Sequence, residues 1–356
     1  MMTLQQLAGG IELVPATTTW YLADLGEARG KQELFTAQSP QVLRVLREHS
    51  LIESAVSSNR IEGVEIDPTR VGTVMFGSPL LKDRDEEAIS GYRDALRMIH
   101  DQHAELLMSE DLILKFHSLC AGVIWDAGRY KDKDGDIIEK YPDGRQRVRF
   151  QTVAAVETPR FMLQLVQRWQ DCIRERSVHP LVTLGAFNLD FLCIHPFRDG
   201  NGRVSRLLLL LQLYQLGYEV GRYLSLERLL EEHKDRYYET LEQSSHGWHE
   251  SKHDPWPYIN YLLFILKTAY REFEERVGRT LSPRGAKADE VVRAISRQTG
   301  AFRISDIERA CPGVGRDWIR RILADLKERG EASVEGRGPA ARWQYLPKGG
   351  KGTVAT

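Results

Sequence analysis

Apolar and polar positions alternate with a helical period through most of the chain. From Gln41 to Arg60 the apolar residues Val42, Val45, Leu46, Ile52 and Val56 share one helix face. The period returns over Asp85–His100, around Ile89, Tyr92 and Met98, and over Ser109–Ala121, around Leu112, Ile113, Phe116 and Leu119. Ser109, followed by Glu110 and Asp111, is a suitable helix start. Residues 128–150 change character: Asp136–Tyr141 is β-prone, Pro142-Asp143-Gly144 is a turn, and Arg145–Phe150 alternates, which predicts a hairpin. Helices resume at Thr158–Glu175, Leu181–Leu192, Ser225–Leu241 and Tyr258–Tyr270. Residues 1–40 show little periodicity and predict a loosely packed segment. The expected architecture is mainly α with one small β-hairpin.

The stretch richest in chemistry runs from Ile194 to Arg206. An apolar run, Phe187–Ile194, delivers the chain to His195, and a strongly apolar helix follows from Val204 through Leu213. Gly200 and Gly202 leave the backbone bare where that helix begins, so free N–H groups and the positive end of the helix dipole make an anion site suited to phosphate. Arg203 and Arg206, three apart, lie close to one helix face and reach the same anion. Asp199 is a hard oxygen ligand apt for Mg²⁺ bridging phosphates. His195 is the nearby group that titrates near neutrality.

At these residues the chain resembles the Fic family, whose signature is His-x-Phe-x-(Asp/Glu)-Gly-Asn-Gly-Arg-x-x-Arg; every defined position is matched by His195–Arg206. The resemblance implies a Fic-type helical core over roughly residues 40–280 and transfer of AMP from ATP, with Mg²⁺, to a Ser, Thr or Tyr hydroxyl of a target protein. It makes His195 the base and Asp199 the metal ligand. Nucleotide contacts are carried to His195, Gly200, Asn201, Gly202, Arg203, Val204, Ser205 and Arg206. The family's inhibitory pattern, Ser/Thr-x-x-x-Glu-Gly/Asn, is matched by Ser58–Gly63, which implies that Glu62 at the end of an inhibitory helix (about 41–63) occupies the fork of Arg206. The same six residues also read as a helix end stopped by Gly63. The hairpin within residues 128–150 corresponds to the family's flap, which docks protein substrate; a hairpin that only packs locally is the alternative. An aromatic against adenine is expected near Arg236-Tyr237-Tyr238, and Tyr237 is assigned, with core packing the competing role. Family members that transfer other groups, and members that remove AMP with the inhibitory Glu positioning a water, keep those activities open. So does a DNA-binding regulator with a nucleotide-sensing body.

Composition changes the picture only toward the C-terminus. The whole chain carries 49 Lys and Arg against 50 Asp and Glu, whereas residues 284–356 hold 15 against 9, a basic module after an acidic body. The expected division is an N-terminal segment 1–40, a Fic body 41–283 ending in the linker Leu281–Gly285, and a module 284–356. Residues 286–346 read as three helices, the third burying Trp318, Ile319, Ile322, Leu323 and Leu326, then two strands around Gly336–Pro339. This resembles a winged helix-turn-helix. Arg316, Arg320 and Arg321 fall off the apolar stripe and Arg337 lies at the wing tip, which would suit DNA. A homodimer is also compatible with the sequence. The 4 cysteines have no metal spacing, no signal segment stands at the start, and the leucine run after Arg206 is interrupted by Gln212, Gln215 and Gly217. A cytoplasmic protein with reduced thiols and no membrane partner is expected.

Overall fold

In the first part of the chain the structure holds α1 (Thr3–Ala8), α2 (Ala16–Thr36), α3 (Pro40–Ile61), α4 (Val71–Phe76), α5 (Arg84–Gln102) and α6 (Glu110–Ala121). The strands β1 (Asp136–Lys140) and β2 (Gln146–Gln151) come next. They are followed by α7 (Thr158–Glu175), α8 (Pro180–Ile194), α9 (Asn201–Gln215), α10 (Leu226–Glu232), α11 (Lys234–Ser245) and α12 (Trp256–Thr280). This computed structural model describes residues 2–10, 13–36, 40–76, 81–122, 126–140, 144–280, 286–296, 298, 300–311, 314–336, 338 and 341–346. The expected turn residues Pro142 and Asp143, the linker Leu281–Gly285, and Arg337 lie outside them. The chain divides into two compact units, Met1–Glu275 and Arg276–Thr356.

The first unit is organised on α8 and α9. Residues 181–194 and 203–214 are buried without interruption. Helices apolar on nearly every side must be enclosed, and here neighbours are packed all round. α1 and α7 pack on α8, α6 and α5 pack on α9, and α3 lies across α5 and α10. Local chemistry sets the helix starts. The Asp83 carboxylate, the Ser109 hydroxyl and the Ser225 hydroxyl accept backbone N–H bonds from Glu86, Leu112 and Arg228. The single helix expected over Ser225–Leu241 is two, broken at His233. β1 and β2 pair antiparallel as the predicted hairpin.

Residues 1–40, expected from their weak periodicity to be loosely packed, form α1 and α2 over most of the described part; α2 stays largely exposed, with Thr18 and Leu25 buried. α1 is held from far away in sequence. Asp190, fully buried in α8, accepts the N–H groups of Thr3 at 2.8 Å and Leu4 at 2.9 Å and the indole N–H of Trp248 at 2.8 Å. A carboxylate at the start of α1 satisfies its free donors and complements its dipole.

The second unit holds α13 (Ala286–Ser296), α14 (Ile304–Ala310), α15 (Arg316–Glu328) and the antiparallel pair β3 (Ala332–Glu335) and β4 (Arg342–Tyr345). Its core includes Val291, Ile295, Phe302, Ile307, Ile319 and Leu323. Trp318, expected in this core, is 42% exposed, and the Arg321 guanidinium lies 5.5 Å from its ring centre. Ile319, Ile322, Leu323 and Leu326 complete the buried stripe of α15, and Trp318 falls one position to its side.

The four cysteines are free and buried, as expected. No helix among the described residues is long and apolar enough to cross a membrane.

Close packing of α5 on α6 requires Gly91, because a Cβ there would overlap the carbonyl oxygen of Leu119. Gly91→Ala should therefore lower stability by about 1–3 kcal/mol. Gly26→Ala and Gly30→Ala in α2, where a Cβ meets nothing within 4 Å, should raise it by about 0.4–1 kcal/mol. Urea midpoints of the three variants test the contrast.

Candidate active site

α8 ends at His195, which takes a left-handed conformation (φ 52°) while its N–H closes on the Phe191 carbonyl at 3.0 Å. A non-glycine residue in that region costs about 1–2 kcal/mol and persists only where its surroundings hold it. Asn201 supplies part of that hold. Its Oδ1 accepts the Phe197 N–H at 2.9 Å and its Nδ2 donates to the Phe197 carbonyl at 2.8 Å, closing the turn. The Phe197 ring is buried and stacks on His117 with centroids 3.8 Å apart. Gly200, at φ 82°, then opens α9.

His195 Nδ1 lies 3.3 Å from the Leu192 carbonyl, so Nδ1 carries the proton and Nε2 is left as the acceptor. Burial, and then the Lys131 charge, pull its pKa down to about 4. At neutral pH the imidazole is an unprotonated base. His117 is also held low, at about 4, by burial. Its Nδ1 accepts the Gly128 N–H at 3.0 Å, so Nε2 donates to the Asp199 carbonyl at 3.1 Å.

Glu62 follows directly on α3 and reaches the start of α9. Its Oε1 lies 2.8 Å from Arg206 Nη2. Arg206 also donates from Nε to the Ser58 hydroxyl and from Nη2 to the Ser58 carbonyl, both at 2.8 Å. Burial alone would weaken the Arg206 charge, but Glu62 overrides it and the guanidinium stays firmly protonated. The carboxylate stands directly over Gly202, where a Cβ would overlap Oε1. An anion thus occupies the cradle at the N-terminus of α9, while the buried Arg206 Nη1 has no hydrogen-bond partner.

Beside this cradle lies a cavity of ≈ 210 Å³ lined by Glu62, His195 and Gly202, by Leu192 and Cys193 of α8, by Tyr237, Tyr238, Leu241, Glu242 and Ser245 of α11, and by Ile137, Arg149 and Phe150 of the hairpin. Arg149 and its neighbour Phe150 both reach it, which a regular strand forbids because successive side chains point to opposite faces. Ile137 pairs with Phe150 and Ile138 with Val148, so Arg149 is the extra residue of a β-bulge. Its guanidinium donates to the Tyr238 carbonyl at 2.7 Å and covers the Tyr238 ring at 5.3 Å.

The structure thus brings together His195, Gly202, Arg206, Glu62 and Tyr237, and adds Tyr238, Arg149 and Phe150 from outside the expected set. Other expected contacts are placed differently. Arg203 and Arg206 do not converge: Arg203 Nη1 donates to the Cys120 carbonyl at 2.9 Å and Nη2 lies 3.3 Å from Asp199. A helix packed on its flank, α6, offers Arg203 an unpaired terminal carbonyl, which decides its direction. Val204 and Ser205 are buried in the core, and the Ser205 hydroxyl donates to Asn188 Oδ1 at 3.2 Å, so neither side chain lines the cavity. Asp199 is 57% exposed and 3.3 Å from both Arg84 and Arg203. No group of three or more His, Cys, Asp or Glu that could hold a metal exists among the described residues. The lone exposed carboxylate fits Mg²⁺, which takes one or two protein carboxylates and completes its shell with phosphate and water.

Comparison with known proteins agrees with this geometry. The Fic/DOC family model matches residues 107–213, which include the hairpin and the turn. A Fido domain-containing protein of Dictyostelium discoideum is 31% identical over 133 residues, 35% of this chain and 83% of that protein. The protein adenylyltransferase Fic of Nematostella vectensis is 26% identical over 237 residues, 64% of this chain and 50% of that protein. The chain thus spans half or less of the curated adenylyltransferases it matches: the match to the Drosophila ananassae protein covers 57 residues, 12% of its length, at 39% identity. Among solved structures, a Fic family protein from Desulfovibrio desulfuricans superposes with a TM-score of 0.59 at 24% identity, covering 95% of this chain and 98% of that one. C. elegans Fic-1 gives 0.57 at 18% identity over 74% of each chain. These likenesses show a common fold.

Because His195 and His117 are held below the ordinary histidine range, the folded protein binds fewer protons than the unfolded chain between about pH 4 and 6.5. Stability must therefore fall as pH drops through that window and be full above it. His100, held at about 3, and His253, held at about 4, act in the same direction. Thermal midpoints should decline steadily from pH 7 to 5; a flat profile would contradict the buried neutral state.

Proposed function

Because this chain belongs to the Fic/DOC family, we propose that it is a protein adenylyltransferase held in check by Glu62. One observation carries the reading. The Glu62 carboxylate occupies the phosphate cradle above Gly202 and engages Arg206 at 2.8 Å, beside a histidine kept in its base form.

His195 Nε2 takes the proton of a target Ser, Thr or Tyr hydroxyl. The freed oxygen attacks the α-phosphorus of ATP, the bond to the β-phosphate bridging oxygen breaks, and pyrophosphate leaves. The bare N–H groups at Gly200–Gly202 stabilise charge on the α-phosphate, and Arg206 grips the terminal phosphate once Glu62 withdraws. Arg203 is not needed as a direct ligand. Held by Cys120 and adjacent to Asp199, it fixes the direction of that carboxylate. Asp199 would hold Mg²⁺, which neutralises phosphate charge when bound. Tyr237 and Tyr238 with Leu241 provide an aromatic and apolar wall of the kind that takes a purine. The hairpin carries Arg149 and Phe150 over the cavity and aligns the acceptor.

Removal of AMP is the second reading, favoured by Glu62 and His195 lining one cavity, where a water between them would be activated. A DNA contact through residues 286–346 draws support only from the exposed Arg316, Arg320, Arg321 and Trp318, and forms no part of this proposal.

With α-labelled ATP and Mg²⁺, Glu62→Gly should label protein about tenfold or more above wild type, the effect of removing one charge-assisted ion pair. Adding His195→Ala to Glu62→Gly should reduce labelling by about 10²–10⁴-fold while nucleotide binding persists. No labelling by either chain would sink AMP transfer. Release of AMP from modified protein by wild type, lost in Glu62→Gly, would favour the second reading.

A further inference from the structure

The segment between α6 and the hairpin contains a buried lysine, and the machinery described so far does not use it. Lys131 is 6% exposed. Its Nζ donates to the Ile194 carbonyl at 3.2 Å and to the Thr152 hydroxyl at 2.8 Å, and its backbone N–H donates to the Pro196 carbonyl at 2.8 Å. One residue therefore grips the carbonyls of both residues that flank His195, the position whose left-handed backbone needs outside support. Thr152 lies just past β2 and passes its own proton to the Gly135 carbonyl just before β1, so the same contacts tie the base of the hairpin to the turn.

We infer that Lys131 is the positioning residue for His195: it braces the strained backbone from both sides and holds a positive charge beside the imidazole.

The surroundings support a role for charge. Burial lowers Lys131 to about 8, against the pull of Asp134 and Asp136, so it is still charged at neutral pH. The charged and titratable groups around His195 come from several elements. Glu62 at the end of α3 and Asp199 in the turn both favour imidazolium, while Lys131 opposes it. Arg149 of the hairpin, Cys193 of α8, and Tyr237, Tyr238 and Glu242 of α11 line the same cavity. Without Lys131 the two carboxylates would act on His195 with that opposing ammonium gone. The imidazole would then protonate nearer the ordinary histidine range and lose its capacity as a base at mildly acid pH.

The inference rests on His195 being the base, and the test separates the two claims by reading the imidazole directly. In the full chain with ¹⁵N-labelled histidine, the His195 signal is assigned by its loss in His195→Ala and titrated in wild type, Lys131→Met, Lys131→Gln and Lys131→Arg. Lys131→Met and Lys131→Gln should raise the His195 midpoint by roughly one unit or more. Lys131→Arg, which keeps the charge, should stay near the wild-type value. Gln remains able to donate to both oxygens, so it carries the test if the Met variant does not fold. An unchanged midpoint in Lys131→Gln, or an equal rise in Lys131→Arg, overturns the inference. In the Glu62→Gly background the acid limb of kcat/KM should move upward with the midpoint. A midpoint that moves while the acid limb does not would leave Lys131's effect on His195 intact and instead remove His195 from the role of base.

Discussion

The site depends on a constraint of connection. Two helices that are buried over nearly their whole length, α8 and α9, are joined by only six residues, 195–200, and that turn must present polar chemistry without exposing the core. A reversal this short cannot be reached with ordinary helical and extended backbone alone. His195 and Gly200 both take left-handed conformations, and Asn201 closes the loop by bonding both the N–H and the carbonyl of Phe197. The buried Phe197 ring on His117, and the His117 bond to the Asp199 carbonyl, pin the other side. The free donors of α9 and the imidazole of His195 are thereby held in fixed relation, the kind of preorganisation on which the proposed reaction would draw.

The preorganised cradle carries a liability that the fold meets with its own carboxylate. A buried guanidinium with unsatisfied donors is costly, and Glu62 with the Ser58 hydroxyl and carbonyl neutralise much of that cost at Arg206. On the proposed reading, the contact that stabilises Arg206 is also the one that inhibits. Gly202 is small because the carboxylate stands on it. The end of α3 is further tied by Lys234, which donates to the Ile61 carbonyl at 2.8 Å, and by Arg60 with Glu231 at 3.0 Å. Withdrawal of Glu62 must therefore disturb contacts with α10 and α11 as well, and α11 also forms one wall of the cavity.

How much of this was legible in the sequence varies with the distance between the partners. The helices expected over 158–175 and 181–192, the hairpin and the turn after His195 are written in consecutive residues, through apolar period, turn residues and paired glycines, and the structure has each of them, the second helix running over 180–194. Arg149 and Phe150 were missed as a pair because alternation along β2 places neighbours on opposite faces, and the bulge at Arg149 breaks it. The bond of Arg203 to the Cys120 carbonyl was not legible, since that partner belongs to a helix end 83 residues away.

What the sequence determined by itself was therefore local: which segments coil, where they start and stop, and that an anion cradle with a histidine and a carboxylate ligand sits between two apolar helices. Tertiary structure decided which groups meet. It brought Asp190 to the start of α1, gave Arg203 the Cys120 carbonyl of α6 as a partner, and set Lys131 against the carbonyls of Ile194 and Pro196, which flank His195. The physical reason is that period and propensity act over a few residues, whereas buried donors, acceptors and charges take whichever partner the packed helices bring within reach.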